Sequence, residues 1–358
     1  MTQEVKIILT EQEIINTYNE YQQAQAKLYN EYKQIRQQNP TFGYKRIATL
    51  LNQPYAKTRW WHTQGRIPPP IQTVNWLKER GLLPLATNHQ KLPLIARILG
   101  TTFGDGGIFE NLNGIFLSSS ETDVIDEFKA DLKAISGVSI DENARIIKAG
   151  EYGESWCYQN TNRNIIRFFI ALGAPTGKKS LKELQLPRWI KLMDETEDNF
   201  FGAFFGNEIN IPKMHIEGNH LDTLSIGITG LPKLERNRRE FLTQIADYLN
   251  RRNVMTGSVC VGKNKKRENS FVYRLLISTT LENVMNLKKL VPIYYSTLKK
   301  DKLAKTIEKF IEVKKQRLND LMLMGYTAEA AITLLKIKNI DLINKTVLEN
   351  TTNNTGQQ

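Results

Sequence analysis

The sequence predicts an α+β protein in which one unit, helix-strand-strand-helix-strand-strand-helix (αββαββα), runs twice behind an N-terminal all-α domain. Three observations carry that expectation. Two apolar helices, each closed by an acidic residue, recur with Asp105 and Glu208 standing 103 residues apart. Each is followed by the same order of alternating and amphipathic segments. The first 90 residues show helical periodicity, broken at Asn39-Pro40 and again at Pro68-Pro69-Pro70.

Taken in order, residues 11–38 are polar and Gln-rich, with Ile14, Ile15, Tyr18, Tyr21, Leu28, Tyr32 and Ile35 spaced for one or two amphipathic helices. Residues 43–51 (GYKRIATLL) form the next helix, Asn52-Gln53-Pro54 turns the chain, and residues 55–64 (YAKTRWWHTQ) form a short helix after it. Residues 71–83 add another helix, and residues 84–90 read as a linker. The first pass then runs from an apolar helix (93–103) through Gly104-Asp105-Gly106-Gly107. Strands around Ile108 and Ile115-Phe116-Leu117, a helix from Thr122 to Ile135, a hairpin over Ser139 to Tyr158 and a helix from Asn162 to Leu172 complete it. The second pass runs from the helix ending at Phe200 to Gly206 through strands around Ile209-Asn210-Ile211 and Leu224 to Ile228. A helix near Glu235 to Asn250, a hairpin over Val254 to Ile277 and a helix from Leu281 to Leu290 follow. Residues 301–317 predict a basic helix, residues 321–335 a short helical hairpin, and residues 350–358 a polar tail. The domains expected are therefore 1–90 (helical), 91–190 (first repeat and linker), 191–317 (second repeat) and 318–358 (C-terminal extension).

Charge narrows the partner. Lys and Arg total 49 against 37 Asp and Glu, a net charge of +12 that favours a polyanion, with nucleic acid ahead of an anionic membrane. No run approaches the roughly 20 apolar residues that span a bilayer, and residues 1–10 lack the apolar core of a signal peptide, so an intracellular protein is expected. Two cysteines, Cys157 and Cys260, are too few for a disulfide scaffold or a cysteine-rich zinc site. His62, His89, His215 and His220 have no zinc-site spacing. The glycines at 104–107 follow a helix and precede a strand, the reverse of a dinucleotide or phosphate loop.

The two acid-tipped helices, ILGTTFGDGG (98–107) and FFGAFFGNEI (200–209), resemble the signature helices of LAGLIDADG homing endonucleases. Gly100, Gly104 and Ala203 stand where that family keeps small residues for close helix approach. Gly100 to Asp105 and Ala203 to Glu208 are each five residues, so each acid leaves its helix at the same angle to the packing face. The intervening GAPTGKKSLKELQLPRWI (173–190) is similar to a linker of the family's archaeal-type members, and the resemblance extends from Leu92 to about Lys314. It implies the duplicated αββαββα homing-endonuclease fold and site-specific, divalent-metal-dependent cleavage of double-stranded DNA by a monomer, encoded in a mobile intron or standing alone. Asp105 and Glu208 would bind Mg2+, and Lys213, in the strand after Glu208, is the third catalytic candidate, placed where the family may carry a lysine. Arg145, Lys148, Lys263, Lys265, Lys266, Arg267 and Arg274, on or beside the predicted hairpins, would contact DNA phosphates. Residues 43–64 are similar to a helix-turn-helix, which implies DNA contacts from Lys57, Thr58, Arg59 and His62 on its second helix.

Two departures keep a second function open. Ile209 replaces the glycine that follows the second acid in the family. Ser118-Ser119-Ser120 and Ile228-Thr229-Gly230 occupy the ends of the first hairpins, where a basic or glutamine side chain is usual, leaving Lys213 and Lys233 as the nearest replacements. A cleavage-deficient DNA-binding regulator, or an intron maturase that also holds intron RNA, would tolerate both changes. An intein is disfavoured, since residue 1 is not Cys or Ser and the chain does not end in His-Asn.

Overall fold

The computed structural model describes residues 4–149, 155–215, 217, 220–265 and 267–337. Lys266 and the tail 350–358 therefore lie outside the described residues. Helices mix with antiparallel strands throughout, and no helix among the described residues is long and apolar enough to cross a membrane.

The N-terminal region begins with β1 (Ile7–Leu9) and α1 (Glu11–Asn16), the latter started by a capping box between Thr10 and Glu13. Asn19 caps α2 (Glu20–Gln38) by accepting from the Gln22 amide at 2.9 Å. Then come α3 (Tyr44–Leu50), a tight turn, α4 (Tyr55–Thr63) and α5 (Pro69–Glu79). Tyr32, Ile47 and Trp61 make a small core between α2, α3 and α4. The predicted linker contains β2 (Leu85–Ala86), which pairs antiparallel with β1. Both strands are too short to show periodicity, but burying Leu9 and Leu85 completely gives them a reason to pair. Ile14, Ile71, Val74 and Leu77 belong to the main core of the molecule. Thr73 donates to Asn164 Oδ1 at 2.7 Å, and Arg167 donates to the Thr17 carbonyl.

The next stretch runs α6 (Leu92–Phe103), β3 (Gly106–Ile108), β4 (Ile115–Ser119), α7 (Thr122–Ser136), β5 (Ala144–Ala149), β6 (Ser155–Asn160) and α8 (Arg163–Ala171). Its sheet has the order β3-β4-β6-β5, all antiparallel. Leu117 and Tyr158 face each other across it and are fully buried, with Phe128 of α7 edge-on to Tyr158. After a connector come α9 (Asp194–Glu208), a two-stranded hairpin of β7 (Met214–His215) and β8 (His220–Leu221), β9 (Leu224–Gly230), α10 (Glu235–Arg251), β10 (Thr256–Lys263), β11 (Phe271–Ile277) and α11 (Leu281–Leu290). The second sheet has the order β10-β11-β9. A strand expected over 209–211 is reduced to a single bridge between Ile209 and Ile226. The Asn210 side chain takes the Ser225 amide at 2.5 Å, and Pro212 has no amide to extend a ladder. The 27-residue α12 (Thr297–Leu323) and α13 (Ala328–Leu334) complete the described chain.

At the centre, α6 lies against α9, backbone to backbone. A Cβ on Gly100 would overlap the Phe200 carbonyl, and one on Gly104 would come within 2.6 Å of the Asn207 Cβ. Glycine is needed here for closeness, since neither residue has a positive φ. Phe200, Phe201, Phe204 and Phe205 on α9 are all fully buried, each contributing about 1.5–3 kcal/mol of apolar burial. The consequence is positional: the C-terminal ends of α6 and α9 emerge together.

Candidate active site

Asp105 follows the last turn of α6 and Glu208 is the last residue of α9, so the glycine contacts between the helices bring the two acids to one place. Asp105 is exposed and Glu208 half-buried: protein surrounds the pair but leaves one side open to solvent. Burial, then the neighbouring Asp105 carboxylate, pushes the Glu208 carboxyl up to about 7; Lys179 and Lys299 oppose the shift. Although Asp105 keeps one side open to solvent, the protein packed around its carboxyl raises it too, again against the pull of Lys179 and Lys299. Two carboxylates that resist ionising together form an electrostatic demand for a cation.

Lys179 and Lys299 answer part of it, and neither was among the residues expected from sequence. Lys179 comes from the connector after α8, just beyond Gly177, whose φ of +71° turns the chain. Its ammonium donates to the carbonyls of Thr102 (3.1 Å) and Gly104, orphan acceptors at the end of α6, and to that of Gly106 (2.6 Å) at the start of β3. Burial lowers its pKa to about 8, against the attraction of Glu208 and Asp105. Lys299, near the start of α12, donates to the Asn207 carbonyl at 2.5 Å at the end of α9; burial lowers its pKa too, opposed by Asp105 and Glu208. The signal available in the sequence was positional. Each lysine belongs to a Lys-Lys pair, Lys179 of Lys178-Lys179 standing eight residues after the end of α8 at Ala171 and Lys299 of Lys299-Lys300 nine after the end of α11 at Leu290.

Lys213 is exposed on the segment before β7, and its backbone carbonyl accepts from Asp222. The lysines whose charge reaches the two acids are Lys179 and Lys299, and Lys213 is not among the groups that shift either carboxyl. Lys233 sits in a short 3-10 turn before α10. Ile209 is buried in an extended conformation (φ −74°), so the position tolerates a side chain.

The donor set suits a hard cation. The two carboxylates supply oxygen, the helix-end carbonyls being held by the lysines, and among the described residues no cluster of three or more His, Cys, Asp or Glu side chains stands together. Two carboxylates with the remaining positions left to water or phosphate suit a hard divalent cation.

The expected DNA contacts divide by strand register. Arg274 pairs opposite Cys260 and Gly227 and alternates with buried Tyr273 and Leu275, so it stands on the solvent face of the second sheet. Arg145, opposite Gln159, holds the corresponding face of the first sheet and donates from Nε and Nη2 to Gln159 Oε1 at 2.9 and 2.7 Å. Lys148 and Lys263 have the opposite parity. Lys148 pairs with Trp156, in register with inward Tyr158, and Lys263 pairs with Phe271, in register with inward Tyr273, so both side chains leave from the helix-covered side of an edge strand. Lys265 and Arg267 are exposed in the turn after β10.

On α4, Arg59 is exposed, but Thr58 is completely buried, three residues from buried Trp61 on the same helix face. Thr58 therefore cannot touch DNA. His62 is half-buried and turned inward, with Nδ1 at 3.2 Å from the Tyr32 hydroxyl; burial, then Arg36, lowers its pKa. Lys57 donates to Gln53 Oε1 at 2.9 Å and lies over the Trp61 ring.

No family model matches the chain. It is 30% identical over 192 residues to the DNA-directed RNA polymerase subunit Rpo1N of Methanocaldococcus jannaschii, a match covering 49% of this chain and 14% of that protein. It is 32% identical over 262 residues to the tRNA-splicing ligase RtcB of Pyrococcus furiosus, covering 69% of this chain and 26% of that protein. It is 38% identical over 116 residues to the archaeal Lon protease of Pyrococcus abyssi, covering 32% of this chain and 10% of that protein. The chain thus spans about a quarter or less of the length of these relatives. Among solved structures, the homing endonuclease I-DmoI aligns over 60% of this chain and 98% of its own, with a TM-score of 0.38 and 14% identity. The N-terminal LAGLIDADG domain of DUF199/WhiA aligns over 64% of this chain and 95% of its own, with a TM-score of 0.35 and 11% identity.

Proposed function

We propose that this chain is a site-specific, divalent-metal-dependent endonuclease of the homing type acting on double-stranded DNA, with the two αββαββα stretches as its duplicated core. The observation that carries the reading is the convergence of Asp105 and Glu208 at the ends of two helices packed backbone to backbone, each helix end gripped by its own lysine. Asp105 and Glu208 would hold magnesium, which when bound supplies an activated water and charge neutralisation at the scissile phosphate. Lys179 and Lys299 keep positive charge beside the acids, so the site accepts the dianionic crowding of carboxylate and phosphate. Because one chain supplies both acids, a monomer suffices. Arg145 and Arg274, on the solvent faces of the two sheets, would meet the DNA, as would Lys265 and Arg267 in the β10-β11 turn and the α3-turn-α4 segment through Arg59.

The partial matches support a mobile origin. The segments similar to the polymerase subunit and to the RNA ligase cover 49% and 69% of this chain, so they must overlap. Similarity to a small part of proteins with unrelated names is the pattern a homing element would produce.

The test is incubation of the protein with a host-genome DNA library and magnesium, alongside Asp105→Asn and Glu208→Gln. Discrete double-strand cuts that vanish in both variants are expected. If nothing is cut while all three proteins bind the same DNA equally, the chain is a DNA-binding regulator or maturase on this scaffold.

A further inference from the structure

The N-terminal helical region carries a second site of different chemistry. From residue 32 to residue 78 the sequence holds no Asp or Glu but eight cations, among them Lys45, Arg46, Lys57, Arg59 and Arg66. Between α2 and α4 lies an open groove of about 510 Å³, lined by Tyr21, Pro54, Lys57, Trp60, Arg66 and Pro68. Tyr21 is 73% exposed and Trp60 44% exposed, although large aromatics are ordinarily covered. The Arg66 guanidinium lies 5.1 Å from the Trp60 ring centre, and Tyr55 is exposed at the start of the same helix. The acids of α2, Glu20 and Glu31, line a separate groove on its other side with Lys27 and Gln34.

This combination differs from what a duplex demands. Reading base edges in a major groove takes side chains with paired donors and acceptors; on α4 Arg59 is such a side chain, whereas the groove beside it presents Tyr21, Trp60 and Arg66. Exposed aromatic faces beside cations with no acid partner among the described residues suit bases already out of the stack: rings stack on them and the cations follow the backbone. We propose that the α2-α4 groove holds an unpaired nucleic-acid strand, with bases stacked on Trp60 and Tyr21 and phosphates against Arg66 and Lys57, the cations that line it. This site is independent of the acids at Asp105 and Glu208.

The test uses the full chain in fluorescence-polarisation titrations without metal. The probes are a labelled oligo(dT), an oligo(U) of the same length, and a duplex of equal length. The single strands are expected to bind, to quench tryptophan fluorescence, and to lose about 10-fold or more in affinity in Trp60→Ala and in Arg66→Ala; Trp60→Phe should keep most of it. Duplex binding should stay within about two-fold in these variants, which also controls for folding, and Asp105→Asn should bind the strands as wild type does. Preference for oligo(dT) or oligo(U) identifies the source of the strand. Single-strand binding unchanged in Trp60→Ala, no single-strand binding at all, or equal losses on duplex and single strand would each overturn the proposal.

Discussion

The two halves of the core solve one packing problem with opposite charge. In the first, the cation is on the central helix: Arg97 of α6 reaches Asp131 of α7 at 2.7 Å and Glu127 at 3.7 Å, with the Tyr295 hydroxyl donating to Asp131. In the second, the anions are on the central helix: Glu197 of α9 takes Arg251 of α10 at 2.6 Å, and Asp198 takes Arg252 and the Tyr248 hydroxyl. Swapping α7 and α10 between the halves would set arginine on arginine and acid on acid, so the polarity difference specifies which outer helix meets which central one. What the halves share is the acid at the end of the central helix and a late-arriving lysine on that helix end.

That contrast can be broken most forcefully at the acids. Asp105→Asn and Glu208→Gln are each expected to lower cleavage by about 10³-fold or more, equally in the two halves; a DNA-cutting assay in which one variant kept near-wild-type rate would make the site asymmetric. Next comes the charge inversion. Arg97→Met should cost about 3–5 kcal/mol in denaturant unfolding, because Asp131, with 10% of its side chain exposed, loses its cation. Arg251→Met should cost about 1 kcal/mol or less, since Arg251 is 51% exposed and Arg252 remains beside Glu197. Equal losses would mean that the two ion sets are equivalent after all.

The lysines sharpen the shared part. Lys179→Met is expected to reduce cleavage about 10²-fold, with Lys299→Met weaker, because Lys179 satisfies three carbonyls and Lys299 one. Single-turnover rates on a cleavable site would measure both, and the reverse order would put the functional lysine in the second half. A smaller effect is readable in stability. The Glu208 carboxyl is raised from its usual 4.5 to about 7, so between those values the folded protein keeps a proton that the unfolded chain has released. Metal-free wild type should therefore lose stability as pH rises through that window, by a few degrees in Tm, while Glu208→Gln stays flat. A wild-type melting profile that rose from pH 5 to 7 would contradict the crowding of the acids.

How much of this the sequence exposes depends on the range of the interaction. Helices such as α10 and α11 and the hairpin β10-β11 declare themselves by local periodicity, and the acids declare themselves by their common frame on the two central helices. Lys179 and Lys299 reach their helix ends from 74 and 91 residues beyond Asp105 and Glu208, a relation that no local pattern carries. Side-chain direction was the other gap. Thr58 and Arg59 are neighbours on one helix, but only Arg59 faces out; Lys263 and Arg274 lie on one hairpin but on opposite faces. The smallest predicted effect checks that point. Thr58→Val removes a buried hydroxyl that has no hydrogen-bond partner among the described residues, so it should leave DNA affinity unchanged and stability equal or higher by up to about 1 kcal/mol; weaker DNA binding in a filter assay would return Thr58 to the interface.

The central claim is that Asp105 and Glu208, one from each half, form a single cation site. Manganese binding followed by electron paramagnetic resonance on the full chain and on Asp105→Asn and Glu208→Gln tests it most directly. The account predicts saturable binding in the wild type that is weakened at least 10-fold by either substitution, because the ion needs both carboxylates. Manganese binding unchanged in both variants, or no binding by the wild type with DNA present, would contradict it.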